Sequence, residues 1–298
     1  GAPTPVQRLE RFERAIGARG SILIKRDDAI PFGFGGNKVR KLELVMAAAV
    51  REDALTVITC GGIQSNHCRA TAAAAARLGL DCDLVLSGAR PAILTGNTRL
   101  DEMFGARLHF VPDRADRAPA MAALEKERRA EGRRPFVIPL GASTPLGAAG
   151  LALGVSEMLD EGLQPDVILH ASSSGGTQGG LLAGTVLAGL KTRIIGISAD
   201  ESAASLGALV EDIERGVLRL AGSGAEARKA EVDDSFVGEG YGIPTAASRE
   251  AQTLLARSEG IVVDHTYTAK ALAGLIALVT SVVVAVRVML CMAVVVRM

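Results

Sequence analysis

The sequence predicts an α/β protein built from parallel sheets that are covered by helices on both faces. Short apolar runs typical of buried strands alternate with amphipathic or alanine-rich runs typical of helices along the chain. Glycine-rich turns join several of these strands to the helix that follows. A chain of 298 residues is long enough for two domains of ordinary size, each with its own core.

The elements follow in order from the periodicity of the apolar residues. Three- and four-residue spacing predicts helices at 7–19, 38–50, 68–78, 98–104, 118–131, 147–161, after 180, and at 245–259. Apolar runs predict strands at 21–25, 55–59, 83–86, 107–111, 135–139, 166–170, 193–199 and 260–264. The charged segment 201–240 is predicted to be mostly helical. Such alternation indicates parallel strands joined by helices.

The end of the chain is predicted to form a buried helix followed by a strand. Residues 272–286 are 15 uncharged residues, fewer than the roughly 20 that a helix needs to cross a bilayer. We therefore expect no membrane-spanning segment.

Composition argues against several classes of protein. The 33 basic and 33 acidic residues cancel without blocks of like charge, so we expect no nucleic-acid partner and no anionic membrane surface. Four cysteines without a CxxC pair fit a reducing compartment, and we expect a cytoplasmic protein. The first residues, Gly-Ala-Pro-Thr-Pro, are not typical of a signal peptide.

The glycine-rich stretch 33–43 contains the first candidate site residue, Lys38. Apolar residues recur every three or four positions from Val39 to Val50, which predicts a helix with Asn37 as its N-cap. Lys38 would then lie in the first turn, where the helix dipole opposes its charge. A desolvated amine at that place loses its proton more readily and can attack a carbonyl. The alternative is an ordinary capped helix whose lysine points into water.

The loop 171–180 is the clearest candidate for binding an anion. It follows a predicted strand and precedes a helix, and its serines, glycines and threonine offer hydroxyl and backbone N–H groups to a phosphate. It matches neither the P-loop nor the GxGxxG fingerprint, which argues against a nucleotide site and against a nicotinamide dehydrogenase. The alternative is a tight turn without function.

The loop 60–67 ends another strand with four polar side chains, Gln64, Ser65, Asn66 and His67. Together they could hold a substrate carboxylate. Alternatively, Ser65 or Asn66 only caps the next helix. His67 has no partners at metal-ligand spacing, so we expect no metal site.

The two tyrosines, Tyr241 and Tyr267, lie 26 residues apart beside glycine or threonine. Core packing is the usual role of a tyrosine, but a phenol at a loop can also act as an acid, a base or a hydrogen-bond donor.

Together these motifs resemble pyridoxal-phosphate enzymes of the tryptophan-synthase-β fold (fold type II). The most similar branch is the D-cysteine desulfhydrase and 1-aminocyclopropane-1-carboxylate deaminase family. The similarity runs from residue 24 to about 275, and its motifs lie at 35–43, 63–67, 173–178, 241–244 and 264–275. It implies two parallel-sheet α/β domains, a large one of 1–40 and 149–298 and a small one of 41–148, and a homodimer.

The resemblance also implies roles for the candidate residues. Lys38 would form the Schiff base with pyridoxal 5′-phosphate, and Asn66 would bond the pyridine 3′-oxygen. The residues implied in holding the phosphate are Ser174, Gly175, Gly176 and Thr177. The residues implied in contacting the substrate are Gln64 and His67 near its carboxylate, Ser65 near its reacting carbons, and Tyr241 and Tyr267 on its flanks. Lys38, Ser65 and the tyrosines would be catalytic.

Within the family, the sequence favours β-elimination from D-cysteine or a related small amino acid, giving pyruvate, ammonia and sulfide. His67 stands where the cyclopropane deaminases typically have glutamine, and Thr268 stands where they carry a glutamate that contacts the pyridine nitrogen. From Thr280 the sequence lacks the family's His-Thr-Gly-Gly motif, whose threonine can serve that nitrogen. The alternatives are a cyclopropane-carboxylate deaminase and a non-catalytic relative that binds the cofactor or only an anion.

Overall fold

The computed structural model describes residues 3–281 and 286–291. Its strands are β1 (Val6–Arg8), β2 (Ile22–Lys25), β3 (Thr56–Gly62), β4 (Asp81–Ser87), β5 (Arg107–Val111), β6 (Pro135–Val137), β7 (Val167–Ser172), β8 (Arg193–Ser198), β9 (Glu231–Asp233) and β10 (Val288–Cys291). Its α-helices are α1 (Glu10–Ile16), α2 (Asn37–Arg51), α3 (Asn66–Leu78), α4 (Gly96–Met103), α5 (Arg117–Ala130), α6 (Pro145–Asp160), α7 (Gly176–Leu187), α8 (Ala203–Leu220), α9 (Ala246–Glu259) and α10 (Thr268–Ser281).

The strands form two sheets, which confirms the predicted α/β class. A six-stranded sheet has the order β1-β2-β10-β7-β8-β9, and a four-stranded sheet has the order β5-β4-β3-β6. Neighbouring strands are parallel except for the β1–β2 pair at one edge. The strands of the smaller sheet all come from residues 56–137, inside the predicted small domain; the domain boundaries themselves stay a prediction.

Apolar cores cover both faces of each sheet. Side chains of α1, α9 and α10 pack on one face of the six-stranded sheet, and side chains of α6, α7 and α8 pack on the other. In the four-stranded sheet, α2 and α3 cover one face and α5 covers the other. This burial on both faces explains why the central strands are apolar without alternation.

Three local predictions were wrong. Residues 7 and 8 belong to β1, so the first helix begins at Glu10. Residues 260–264 form no strand, because this extended segment has no neighbouring strand to bond with, although Val263 is buried in the core. The segment 201–240 contains the short strand β9, which extends the edge of the larger sheet beside β8.

The predicted C-terminal helix and strand are confirmed. Helix α10 is largely buried, and β10 lies between β2 and β7 near the middle of the larger sheet. None of the helices in the described ranges is both long and apolar enough to cross a membrane. The sequence departs from the family pattern from Thr280 onwards, and within that stretch residues 282–285 and 292–298 lie outside the described residues.

A buried ion network fastens α2 to the larger sheet. Arg40 Nη1 lies 2.7 Å from one Glu157 oxygen, and Lys25 Nζ lies 2.5 Å from the other. Arg40 Nη2 also bonds Asp27 at 2.8 Å. Burial alone would raise the pKa of Glu157, but hydrogen bonds from Arg40 and Lys25 outweigh it and hold the pKa at about 2. The network therefore fixes the helix that begins beside Lys38.

We expect Glu157→Ala to lower the free energy of unfolding by about 3 kcal/mol, because it leaves Lys25 and Arg40 buried without their shared partner. Since folding lowers the Glu157 pKa from 4.5 to about 2, this stabilisation is complete above about pH 5 and is lost as the pH falls towards 2. Urea unfolding of both proteins between pH 3 and pH 7 measures it.

The matched control is Glu102→Ala, which breaks the exposed Arg99–Glu102 ion pair on α4. It should cost less than about 0.5 kcal/mol. Equal losses for the two variants would contradict a special role for the buried network.

Candidate active site

The predicted site residues meet in one cleft. A cavity of about 660 Å³ is lined by residues from both sheets' loops. Its lining includes Lys38, Ser65, Asn66, His67, Ser174, Gly175, Thr177, Tyr241 and Tyr267. Gln64 lines an adjoining cavity of about 1150 Å³ that shares Asn66 and both tyrosines with the first. Loops that are distant in sequence therefore form one site, as expected at the carboxyl ends of parallel strands.

Lys38 is the second residue of α2. The helix is capped by Gly36 rather than by Asn37, so that prediction was wrong; Gly36 has φ 98° and ψ 162°, a conformation that favours glycine. Asn37 instead donates from its amide to Thr177 Oγ1 at 2.9 Å, which joins the start of α2 to the start of α7. Burial of the Lys38 amine lowers its pKa to about 8. A substantial fraction of the amine is therefore neutral at physiological pH.

Lys41 lies one helical turn further on and is fully buried. Its Nζ donates to Ser143 Oγ at 3.1 Å and to Gly141 O at 3.3 Å. Burial, and then the nearby charge of Lys38, lowers its pKa well below the ordinary value. No carboxylate of the described residues lies within ion-pair distance of Lys41. A buried amine without a counter-ion is suited to receive an anion.

Two glycines leave room for that anion. A Cβ on Gly176 would lie 2.7 Å from both Lys41 Nζ and Ser143 Oγ. A Cβ on Gly141 would lie 2.5 Å from Ser174 Oγ and 3.3 Å from Lys38 Nζ. Helix α7 begins beside this space at Gly176, and the first turn of a helix offers N–H groups that have no partner within the helix. We call this arrangement the anion cradle: Lys41, Gly141, Ser143, Ser174 and Gly176.

The sequence predicted one wall of the anion cradle and missed the other. The 171–180 loop was predicted from its glycines and hydroxyls, whereas Lys41 and Ser143 were not singled out. Lys41 could have been found from its spacing, because residues three apart lie on one face of a helix and Lys38 already faces the site. Ser143 gave no such signal, since only the fold brings its loop beside Ser174, at 2.7 Å between the two hydroxyls.

Ser65 and Asn66 begin α3. Ser65 Oγ accepts a hydrogen bond from Cys68 N at 3.2 Å, so the capping role that the sequence left open is present. Asn66 Oδ1 accepts from Arg69 Nη1 at 3.1 Å and from Asn97 Nδ2 at 2.9 Å. Arg69 and Asn97 thus fix the Asn66 amide through its oxygen, and Asn66 lines the cavity.

Gln64 and His67 have structural partners of their own. Gln64 donates to Thr95 O at 3.0 Å and accepts from Asn97 N at 2.8 Å, which ties its loop to α4. His67 Nε2 lies 2.8 Å from the Thr59 hydroxyl, which itself donates to a backbone carbonyl. The proton is therefore on His67 Nε2. Burial, and then the charges of the two lysines, holds the His67 pKa well below its usual range. His67 is neutral and cannot supply a positive charge to a carboxylate.

The two tyrosines form a pair that lines both cavities. Their hydroxyl oxygens are 2.5 Å apart and their rings meet edge to face. The Arg114 guanidinium lies 4.7 Å from the centre of the Tyr241 ring. Burial raises the pKa of both phenols. Both are protonated at neutral pH, so the pair can donate a proton. In the described part of the chain, no group of side chains could hold a metal ion.

Known proteins are similar to this chain in sequence or in fold. A family model described as "Pyridoxal-phosphate dependent enzyme" matches residues 1–286. A crystal structure of an "ACC deaminase homologue" is 33% identical with a TM-score of 0.91, over 99% of this chain and 90% of that chain. A pyridoxal 5′-phosphate-dependent aspartate racemase is 16% identical with a TM-score of 0.73, over 98% and 89% of the two chains. Threonine deaminase isoform 2 from Solanum lycopersicum is 17% identical with a TM-score of 0.71, over 99% and 84%. The expected cofactor, pyridoxal 5′-phosphate, is confirmed, and the anion cradle fits its phosphate.

The rate at which the cofactor-free protein binds pyridoxal phosphate covalently should depend on pH through Lys38. With a pKa of about 8, the rate should rise roughly tenfold from pH 7 to pH 9 and then level off, because only the neutral amine reacts. Stopped-flow absorbance at roughly 410–420 nm follows the reaction. Nα-acetyl-lysine is the control: its ordinary amine should keep accelerating up to about pH 10. A protein rate that follows this control would contradict a lowered Lys38 pKa.

Gly176→Ala should weaken pyridoxal phosphate binding at least about tenfold, because the new methyl group fills the anion cradle beside Lys41 and Ser143. Gly207→Ala on α8 is the matched control, since a Cβ there meets nothing within 4 Å. Equilibrium dialysis measures both affinities, and thermal unfolding checks that both proteins fold. Equal affinities for Gly176→Ala and wild type would show that the phosphate binds elsewhere.

Proposed function

We propose that this chain, which belongs to the family of pyridoxal-phosphate dependent enzymes, is a lyase that eliminates the β-substituent of a small D-amino acid. The favoured substrate is D-cysteine, and the products are pyruvate, ammonia and sulfide. The observation that carries the proposal is the presence of a partly neutral lysine, the Ser65 hydroxyl and a protonated tyrosine pair in one cavity, next to an anion cradle.

We assign cofactor binding to residues of both loops. Lys38 would carry the cofactor covalently, Asn66 would bond its 3′-oxygen, and Ser174, Gly175, Gly176 and Thr177 would hold the phosphate. Lys41 and Ser143, which belong to the anion cradle together with Ser174 and Gly176, would also bind the phosphate. When bound, pyridoxal phosphate supplies an electron sink that stabilises negative charge at the substrate α-carbon.

Lys38 Nζ is the proposed acceptor of the substrate α-proton. Its lowered pKa gives it a neutral fraction to accept that proton. Ser65 is assigned to the reacting carbons, because its hydroxyl lies at the start of α3 in the same cavity. Gln64 and His67 remain proposed neighbours of the substrate carboxylate, and a neutral His67 would act there only as a hydrogen-bonding group.

The tyrosine pair is the proposed proton donor to the leaving sulfur. Tyr241 and Tyr267 share one short hydrogen bond, so one phenol can deliver a proton while the other stabilises the oxygen left behind. Arg114 over the Tyr241 ring would favour that negative charge further.

Elimination is favoured over opening of a cyclopropane ring by the environment of Thr268. This residue occupies the place of the deaminases' glutamate, and its hydroxyl donates to Asp264 at 2.7 Å within the fold. A cyclopropane-carboxylate deaminase is the second candidate, favoured by the 33% identity to the ACC deaminase homologue. A non-catalytic relative is the third, because the sequence departs from the family pattern from Thr280 onwards. The homodimer and the cytoplasmic location stay predictions.

An absorption spectrum with and without D-cysteine tests the function, using wild type, Lys38→Ala and Lys191→Ala. Wild type and the exposed-lysine control Lys191→Ala should both show a band at roughly 410–420 nm, and Lys38→Ala should not. Adding D-cysteine should change the band of wild type and of Lys191→Ala. Both proteins should then release pyruvate and sulfide in equal amounts.

Tyr241→Phe should keep the band and lose at least about tenfold in turnover, because a proton donor is removed without affecting Lys38. A band with turnover of 1-aminocyclopropane-1-carboxylate but not of D-cysteine would establish the second candidate. A band without turnover of either compound would leave a cofactor-binding relative, and a band that persists in Lys38→Ala would overturn the assignment of the lysine.

A further inference from the structure

Arg69 is a buried cation placed directly behind Asn66. It lies on the first turn of α3 and is only 2% exposed. Its Nη1 donates to Asn66 Oδ1 at 3.1 Å and to Asn97 Oδ1 at 3.2 Å. Its Nη2 donates to Gly35 O at 3.0 Å, in the glycine loop that leads to Lys38. One guanidinium thus connects both walls of the cleft.

These contacts determine which way the Asn66 amide points. A guanidinium has only donors, so the Asn66 atom that faces Arg69 must be the oxygen. Asn97 Nδ2 donates to the same oxygen at 2.9 Å and to Gln64 O at 2.9 Å. Both hydrogen bonds onto Asn66 Oδ1 would be lost if the amide turned over. Asn66 Nδ2 is therefore left as the free group, and within the described ranges no acceptor lies within hydrogen-bond distance of it.

The charge behind Asn66 is not cancelled by an ion pair. The carboxylate that acts on Arg69 is Asp101, which is fully buried with both oxygens unpartnered among the described residues. Burial raises the Asp101 pKa to about 8, so this carboxyl is largely protonated at neutral pH. Burial lowers the Arg69 pKa only to about 10, and the guanidinium stays charged. Asn66 therefore lies between a buried positive charge and the cavity.

We infer that Arg69 is a positioning residue that locks Asn66 as a hydrogen-bond donor and so makes the site select a cofactor ring with a negatively charged 3′-oxygen. A hydrogen bond to a charged acceptor is stronger than one between neutral groups, and a positive charge behind the donor strengthens it further. The inference rests on the proposed contact between Asn66 and the 3′-oxygen. It concerns cofactor recognition and does not depend on the substrate.

The test compares two probes, pyridoxal 5′-phosphate and 3-deoxypyridoxal 5′-phosphate, which lacks only the 3′-oxygen. Their dissociation constants are measured on wild type, Arg69→Met, Asn66→Ala and the double variant. Wild type should prefer the natural cofactor by about 10- to 100-fold. Arg69→Met and Asn66→Ala should each reduce this preference at least about fivefold, and the double variant should reduce it no further than Asn66→Ala alone.

Arg77→Met is the matched control, because it removes the same charge from the exposed end of α3. It should leave the preference within about twofold of wild type. If Arg69→Met does not fold, Arg69→Gln replaces it: this neutral side chain removes the positive charge behind Asn66 and should also reduce the preference.

A purely structural role for Arg69 would weaken both probes equally and leave their ratio unchanged, which would overturn the inference. A ratio that changes in Arg69→Met but not in Asn66→Ala would also overturn it, because Arg69 would then not act through Asn66. An unchanged ratio in Asn66→Ala would separately refute the proposed Asn66 contact, whereas the covalent band at Lys38 tests the cofactor lysine independently.

Discussion

The site depends on a buried, uncompensated amine at the start of one helix. Lys38 and Lys41 lie on the same side of α2, and burial disfavours the charge of both. A fold normally avoids such a pair, because each buried charge without a partner costs several kcal/mol. Here a doubly negative phosphate can bind beside Lys41 and offset that cost. The remaining neutral amine is then available for chemistry at Lys38.

The same helix turn is anchored on its other side. Arg40, between the two lysines in sequence, is paired with Glu157 and Asp27. Since consecutive helical residues point about 100° apart, the carboxylates that satisfy Arg40 are kept away from the two amines. Opposite sides of a single helical turn thus carry different groups. Asp27 and Glu157 lie on the side of Arg40, and the two amines lie on the side of the cleft. This separation keeps the Lys38 pKa low, because a carboxylate close to the amine would raise it.

The sequence predicted the fold class, which the structure confirms, and it predicted site residues that sit in motifs, which the structure brings together in one cleft. The sequence could not reveal residues whose role depends on how deeply the tertiary fold buries them. Arg69 and Lys41 look like ordinary charged positions of a helix, and Asn97 like a residue near a loop, because periodicity indicates a face but not what covers it. The segment 260–264 was predicted to be a strand for a related reason. An apolar run is necessary for a buried strand, but a neighbouring strand is also required, and that is a property of the tertiary fold.

The proton inventory of the cavity limits the chemistry that it can support. His67 is neutral and its Nε2 proton is bonded to Thr59, so it is a poor general acid. The tyrosines are protonated, and the Lys38 amine is partly neutral because burial lowers its pKa to about 8. The proposed elimination needs a base and a proton donor, since one proton leaves carbon while another reaches the leaving group. Lys38 and the tyrosine pair, which line the same cavity, can fill these two roles.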